Sequence, residues 1–174
     1  MLPPVPWTCT DPDAAATLVR WRILEAVSEA GLRLSDVDLT GARLTRCRFS
    51  GARLERVVFR NAVFSLVFLD GAELRGCDFT GASLQNAVFA GALLEDCRFE
   101  DCELVQSNLV GAVIRRCSFD HSNLYASRFT GATFEAAGMR DCNITRARFD
   151  RTVSGSVDFR SSNTNEARFE EPPG

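Results

Sequence analysis

The sequence has no lysine. All 20 of its basic residues are arginine, which is read as coding bias, although arginine also binds planar anions better than lysine does. Histidine is nearly absent as well. His121 stands alone, and no Ser, Cys or carboxylate arrangement around it separates the roles that a catalytic triad needs, so it reads as a solvated surface residue. No glycine-rich phosphate loop is present, and no stretch approaches the ~18 apolar residues of a spanning helix. Met1-Leu2-Pro3-Pro4-Val5-Pro6 lacks both a positive n-region and an apolar h-region, so no secretory signal is expected. A large charge excess is missing too: the formal net charge of −3 by itself recommends neither nucleic acid nor membrane. No catalytic, cofactor-binding or metal-ligating set emerges, and an enzyme is not expected.

What the sequence has in abundance is a period. Gly41-Ala42-Arg43-Leu44 recurs as Gly51-Ala52-Arg53-Leu54, with Cys47-Arg48-Phe49 halfway between. From Leu34 to Phe169 a step of five gives 28 positions, of which 26 hold Leu, Phe, Ile or Met; only Ser154 and Thr164 break the series. Two residues earlier in each step, 27 of 28 positions hold Ala, Cys, Ser, Thr or Val, Leu32 being the exception. Such self-similarity marks a repeat architecture. Period five cannot make an apolar helix stripe, because residues five apart point about 140° away from one another. A long strand fails as well, since an odd period sends alternate large residues to opposite faces. The pattern works if each five-residue unit is one side of a square coil, with the large residue inside and the small one near the corner.

Six of the seven cysteines fall on these two phases. An odd number at core positions reads as buried thiols rather than disulfides, and a reducing cytoplasm is expected. Cys77, Cys97 and Cys117 are spaced by twenty, and Cys102 and Cys142, forty apart, occupy another column; both are read as packing, because metal sites need converging ligands with open geometry.

Units such as Ala42-Arg43-Leu44-Thr45-Arg46 and Ala72-Glu73-Leu74-Arg75-Gly76 resemble the pentapeptide-repeat family, whose consensus is Ala-(Asp/Asn)-Leu-x-x. The resemblance implies a right-handed quadrilateral parallel β-helix with four units per coil, an all-β solenoid of about seven coils here. The expected organisation is an extended segment over 1–10, an N-terminal capping α-helix over 11–31, the β-helix over 32–171 and a tail over 172–174. The helix rests on Asp11-Pro12 as a start, good helix formers from Ala14 to Ala30, and Gly31 as a stop. The sequence departs from the family at the second consensus position, where Arg33, Arg43, Arg48, Arg53, Arg98, Arg128, Arg148 and Arg168 replace Asp or Asn. That position points outward, so the departure alters the surface and leaves the core alone.

Residues twenty apart should then stack about 4.8 Å from one another. This predicts an aromatic column of Phe59, Phe79, Phe99, Phe119 and Phe159 interrupted by Met139, an alternating ladder of Glu55, Arg75, Glu95, Arg115 and Glu135, and an amide ladder of Asn123, Asn143 and Asn163. Two outward groups are candidate sites. Val58, Val63, Leu66, Phe68 and Val88 cluster in the early coils as a surface for a protein partner or for self-association as a homodimer. Arg128, Arg148 and Arg168 form a candidate anion-binding column, which Asp150, Glu166 and Glu170 can neutralise.

Two functions follow. One is a non-enzymatic scaffold mediating protein–protein interaction. The other comes from the resemblance: some family members mimic duplex DNA, bind bacterial DNA gyrase or topoisomerase IV, and protect them from quinolones or natural-product inhibitors. Those rods tend to be strongly acidic and to dimerise through a C-terminal helix. Within 32–169 there are 18 Arg against 17 Asp plus Glu, so bulk charge favours the scaffold. Direct nucleic-acid binding is not expected, because exposed aromatic platforms are nearly absent.

Overall fold

A computed structural model describes residues 23–25 and 31–170. They form an all-β parallel solenoid of about six turns. Its seven-stranded sheet runs from Arg33–Ser35 through Arg53–Glu55, Glu73–Arg75, Leu93–Glu95, Val113–Arg115 and Thr133–Glu135 to Val153–Ser154, each strand pairing with the one twenty residues on. Over residues 31–170, three more columns of parallel bridges follow at offsets of five residues, beginning at Asp38, Arg43 and Arg48. The coil therefore has four sides per turn, named below by the residue that opens each column.

The local reason is the same in every unit. Ala52 is fully buried, Arg53 points out, Leu54 points in, Glu55 points out, and Arg56 turns the corner at φ 51°. The left-handed corner lets five residues do what a straight strand cannot: return the next large residue to the same interior. Nine corners, including Gly41 and Gly51, are glycine with positive φ, as the sequence periodicity requires. The others are mostly short polar residues or arginine, and Leu66 at φ 56° is the one large apolar side chain among them.

Inside, the predicted aromatic column closes over its first four members, and a second one forms beside it. Phe59, Phe79, Phe99 and Phe119 stack with centroids 4.9, 4.7 and 4.9 Å apart, and Phe129, Phe149 and Phe169 stack at 4.9 and 5.0 Å. These ring spacings equal the strand repeat, so each turn adds one aromatic layer without strain. Met139 is fully buried in the gap that the sequence pattern left for it. At the C-terminal end the core meets water, and Phe169 is 51% exposed.

One expectation fails. The capping helix assigned to 11–31 is not a helix at Ile23–Glu25, which is a strand parallel to Arg43–Thr45 with Leu24 opposite Leu44. Leu24 is in phase with Leu34 at two steps of five, so the repeat register overrides helix propensity there. The rest of that assignment, residues 1–10 and the tail over 172–174 lie outside the described residues.

Candidate interaction surface

The outward residues fall into two unlike flanks. The Arg33 and Asp38 sides, counted with the corners that follow them, carry thirteen acids and ten arginines. Nine of those arginines lie within 4.0 Å of a carboxylate: Arg53, Arg56, Arg60, Arg75, Arg98, Arg115, Arg116, Arg140 and Arg160. The predicted ladder is stacked in register, but its ion pairs close only at Arg75–Glu95 and Arg115–Glu135. At the other rungs the corner arginines compete, Arg56 taking Glu55 and Arg116 reaching both Glu95 and Asp96. A shallow groove on the Arg33 side is lined by Arg53 and Glu73, paired at 3.5 Å, together with Arg33, Ser35, Glu55 and Arg75.

The buried carboxylates of this flank are built in. Asp120 accepts from the Arg140 amide at 2.9 Å and from its Nε at 2.8 Å. A Cβ on Gly138 would sit 2.8 Å from Asp120 Oδ1, so glycine makes room for that pair. Burial works against the ionised form of Asp120, but the Arg140 bonds outweigh it and hold the carboxyl below its usual range. Asp78 is likewise lowered: burial opposes, and the Thr80 hydroxyl and amide with the Arg60 guanidinium prevail.

The Arg43 and Arg48 sides differ in kind. Over residues 31–170, with their corners, they carry eight arginines and five acids. Only Arg146, bonded to Glu166 at 2.7 Å, and Arg148, bonded to Asp150 at 3.0 Å, are ion-paired. Among the described residues the guanidinium groups of Arg43, Arg46, Arg128, Arg151 and Arg168 have no hydrogen-bond or ion-pair partner, and all five are exposed. Arg48 lies over the Phe68 ring at 5.4 Å. The amide ladder also lies here, Asn143 donating to Asn123 at 3.1 Å and Asn123 to Glu103 at 2.9 Å.

The two predicted sites turn out to share this second flank. One bridge column runs Arg48, Phe68, Val88, Asn108, Arg128, Arg148 and Arg168. It contains two members of the apolar group and all of the arginine column. Val63 (42% exposed) and Leu66 (55% exposed) sit on the adjacent side and the corner between. Phe68 and Val88 are half-buried, so the Phe outside the core register is a platform for Arg48 rather than a free aromatic. Val58 does not join them: it lies on the Asp38 side between Asp38 and Asp78. Within the arginine column, Arg128 and Arg168 are free while Arg148 is held by Asp150, itself 5% exposed. Sequence reasoning missed Arg43 and Arg46, although their neighbours Thr45, Val63 and Leu66 already lacked charge.

The remaining candidates are the cysteines and His121. Cys77, Cys97, Cys102, Cys117 and Cys142 are free and buried, and Cys47 is buried with them. A hydrogen bond with Cys97 and burial push the Cys77 thiol far up, and burial pushes Cys102 up to about 12 and Cys142 to about 11, so these three do not carry the thiolate that reactivity needs. His121 is exposed at a corner, its Nδ1 3.8 Å from Asp141. Among the described residues, no group of three His, Cys, Asp or Glu side chains is placed to hold a metal ion, and no helix is long and apolar enough to cross a membrane.

No curated protein sequence matches the chain. Among solved structures it resembles the pentapeptide repeat protein Rfr23 from the cyanobacterium Cyanothece 51142, at 18% identity and a TM-score of 0.55, over 72% of this chain and 97% of that one. That likeness is one of fold. Similar too are full-length QnrB1, a plasmid-mediated fluoroquinolone resistance protein (19% identity, TM-score 0.49, 81% and 83% of the two chains), and a pentapeptide repeat protein from the thylakoid lumen of Arabidopsis thaliana (31% identity, TM-score 0.42, 59% and 67%). Two family models match the sequence itself: one describing a pentapeptide repeat region over residues 92–169, and one describing pentapeptide repeats in eight copies over 33–69 and 42–81. With period, coil and family models in agreement over most of its length, the chain belongs to the pentapeptide-repeat family.

Proposed function

We propose that this protein is a non-enzymatic, cytoplasmic scaffold whose Arg43 and Arg48 sides bind a protein partner. The observation that carries this is Leu66. A leucine at a left-handed corner bears a backbone penalty of roughly 1–2 kcal/mol, and this one also leaves 55% of its surface in water. Neither property serves the coil, whose other corners are glycine, polar residues or alanine. Both are accounted for if Leu66 is covered by a partner, with Val63, Phe68 and Val88 beside it. Arg128, Arg148 and Arg168, on the same flank, are the anion-facing part of that surface. Five free, buried thiols support a reducing compartment, and the family pattern supports a right-handed coil.

The DNA-mimic alternative needs an unneutralised carboxylate field comparable with duplex phosphate. Here the acid-rich flank has an arginine in contact with most of its carboxylates, so no observation favours gyrase or topoisomerase IV as partner. The test is a photocrosslinking residue placed at Leu66, at Val63 and, on the opposite flank, at Glu135, in the cells that make the protein. Adducts with one protein from the first two positions and none from Glu135 are expected. Adducts from every position alike, or from none, would overturn the scaffold.

A further inference from the structure

The unpaired arginines are not scattered along their flank. Arg43, Arg46 and Arg48 stand toward its N-terminal end, next to the strand Ile23–Glu25, and Arg128, Arg151 and Arg168 toward its C-terminal end. Between the two groups lies a belt with no arginine at all, made by Val63, Leu66, Phe68, Val88, Val105 and Val110 among Ser, Gln and Asn. Only two carboxylates enter it. Asp70 already accepts from Ser50 at 2.8 Å and Glu103 from Asn123 at 2.9 Å. Arg48 and Arg128 are four strand steps apart in one column, which is about 19 Å at the strand spacing.

We propose that this flank docks an acidic–apolar–acidic segment of a protein: apolar side chains on the belt, and carboxylates at both ends reaching the two arginine poles. The span of about 19 Å equals some 13 residues of α-helix, so an amphipathic helix with acidic ends fits in one straight element. Arg48 is held over Phe68 and keeps its guanidinium edge for a carboxylate. A nucleic acid fits less well, because its phosphates are continuous and would cross the belt without a cation. A second copy of this chain fits less well too, since the carboxylates of the Arg33 and Asp38 sides are largely held by their own arginines. The proposal rests on the scaffold function and adds the chemistry of the partner.

The probe is a synthetic helical peptide of about 18 residues, with glutamates at both ends and leucines at i, i+3, i+4 and i+7 between them. Its counterpart carries lysine for every glutamate, and a short DNA duplex forms the third arm. Binding to the full chain is read by fluorescence anisotropy at low and physiological salt. The acidic peptide is expected to bind at least about tenfold tighter than the lysine peptide and to weaken with salt. Arg43→Ala/Arg46→Ala and Arg128→Ala/Arg168→Ala should each weaken it about fivefold, while Arg53→Ala/Arg98→Ala on the opposite flank leaves it within about twofold. Equal binding of both peptides, tighter binding of the duplex, or pole variants that bind like the parent would each overturn the proposal. The scaffold function is judged separately. Leu66 crosslinks that survive both pole variants would leave it standing while the charge pattern fails.

Discussion

The two flanks of this solenoid share one core and one corner geometry yet treat arginine in opposite ways. On the Arg33 and Asp38 sides nine arginines touch carboxylates, mostly from the turn above, the turn below or across one inward residue. On the Arg43 and Arg48 sides six arginines touch none, and an apolar belt separates them into two poles. Ion pairs between stacked turns stiffen a coil and satisfy its surface. Arginines without partners do neither, and they keep their binding capacity for something else. A net charge close to neutral over the repeats thus conceals one flank richer in acid and one richer in base, and the difference locates function on a fold that otherwise looks alike on all sides.

If the flanks differ only in what they show to water, their interiors should respond alike. Phe99 lies behind the Asp38 side and Phe89 behind the Arg48 side, and both are fully buried. Phe99→Ala and Phe89→Ala are each expected to cost about 3–5 kcal/mol, read as lost stability in urea titrations. A much smaller loss at Phe89 would show that the second flank is also looser inside and would break the comparison at its root.

Acid should then separate the flanks. The carboxyls held below their usual range, Asp36, Asp78, Glu95, Asp96, Asp120 and Asp158, all lie on the ion-paired flank. A depressed folded-state value means that their contribution is fully present above the unfolded carboxylate range, about pH 4, and is lost as pH falls through the lower folded values. Melting temperature should therefore be level from pH 7 to about pH 5 and drop steeply below pH 4. Asp78→Asn/Asp120→Asn should lower it at pH 7 and flatten the acid limb, whereas Arg128→Ala should leave that limb unchanged. An unaltered limb in the double variant would mean that the ion-paired flank does not govern acid stability.

How much of this was legible can be said residue by residue. The coil was, because Leu34 to Phe169 keep one phase and a core of that period has one way to close. The strand at Ile23–Glu25 was hidden behind good helix formers, and Glu29 breaks the inward series between Leu24 and Leu34. The flanks were half legible. Residues twenty apart, or two apart across an inward residue, are outward neighbours, so Arg128 beside Thr130 and Asn108 could be told from Arg148 beside Asp150. Adding all charges along the chain erased that difference. Which acid each paired arginine chooses was not legible, since Glu95 stands within reach of both Arg75 and Arg116 and side-chain geometry decides. Val58 was misplaced for a related reason: being outward in an early coil puts a residue near Val63 in sequence without putting it on the same side.

The smallest expected effect bears most directly on what the open flank is for. Leu66→Asn replaces a leucine at φ 56° with a residue whose short amide tolerates the left-handed region and prefers water. The folded chain should lose nothing, because the leucine side chain is 55% exposed. Relief of the corner penalty should stabilise the protein by up to about 1 kcal/mol. Partner adducts formed from a crosslinker at Val63 should nevertheless weaken, since the apolar centre of the belt is gone. Stability rising while binding falls is the signature of a residue kept for contact at the expense of the fold. A loss of stability at Leu66→Asn would instead make it part of the coil, and the two flanks would then differ in charge alone.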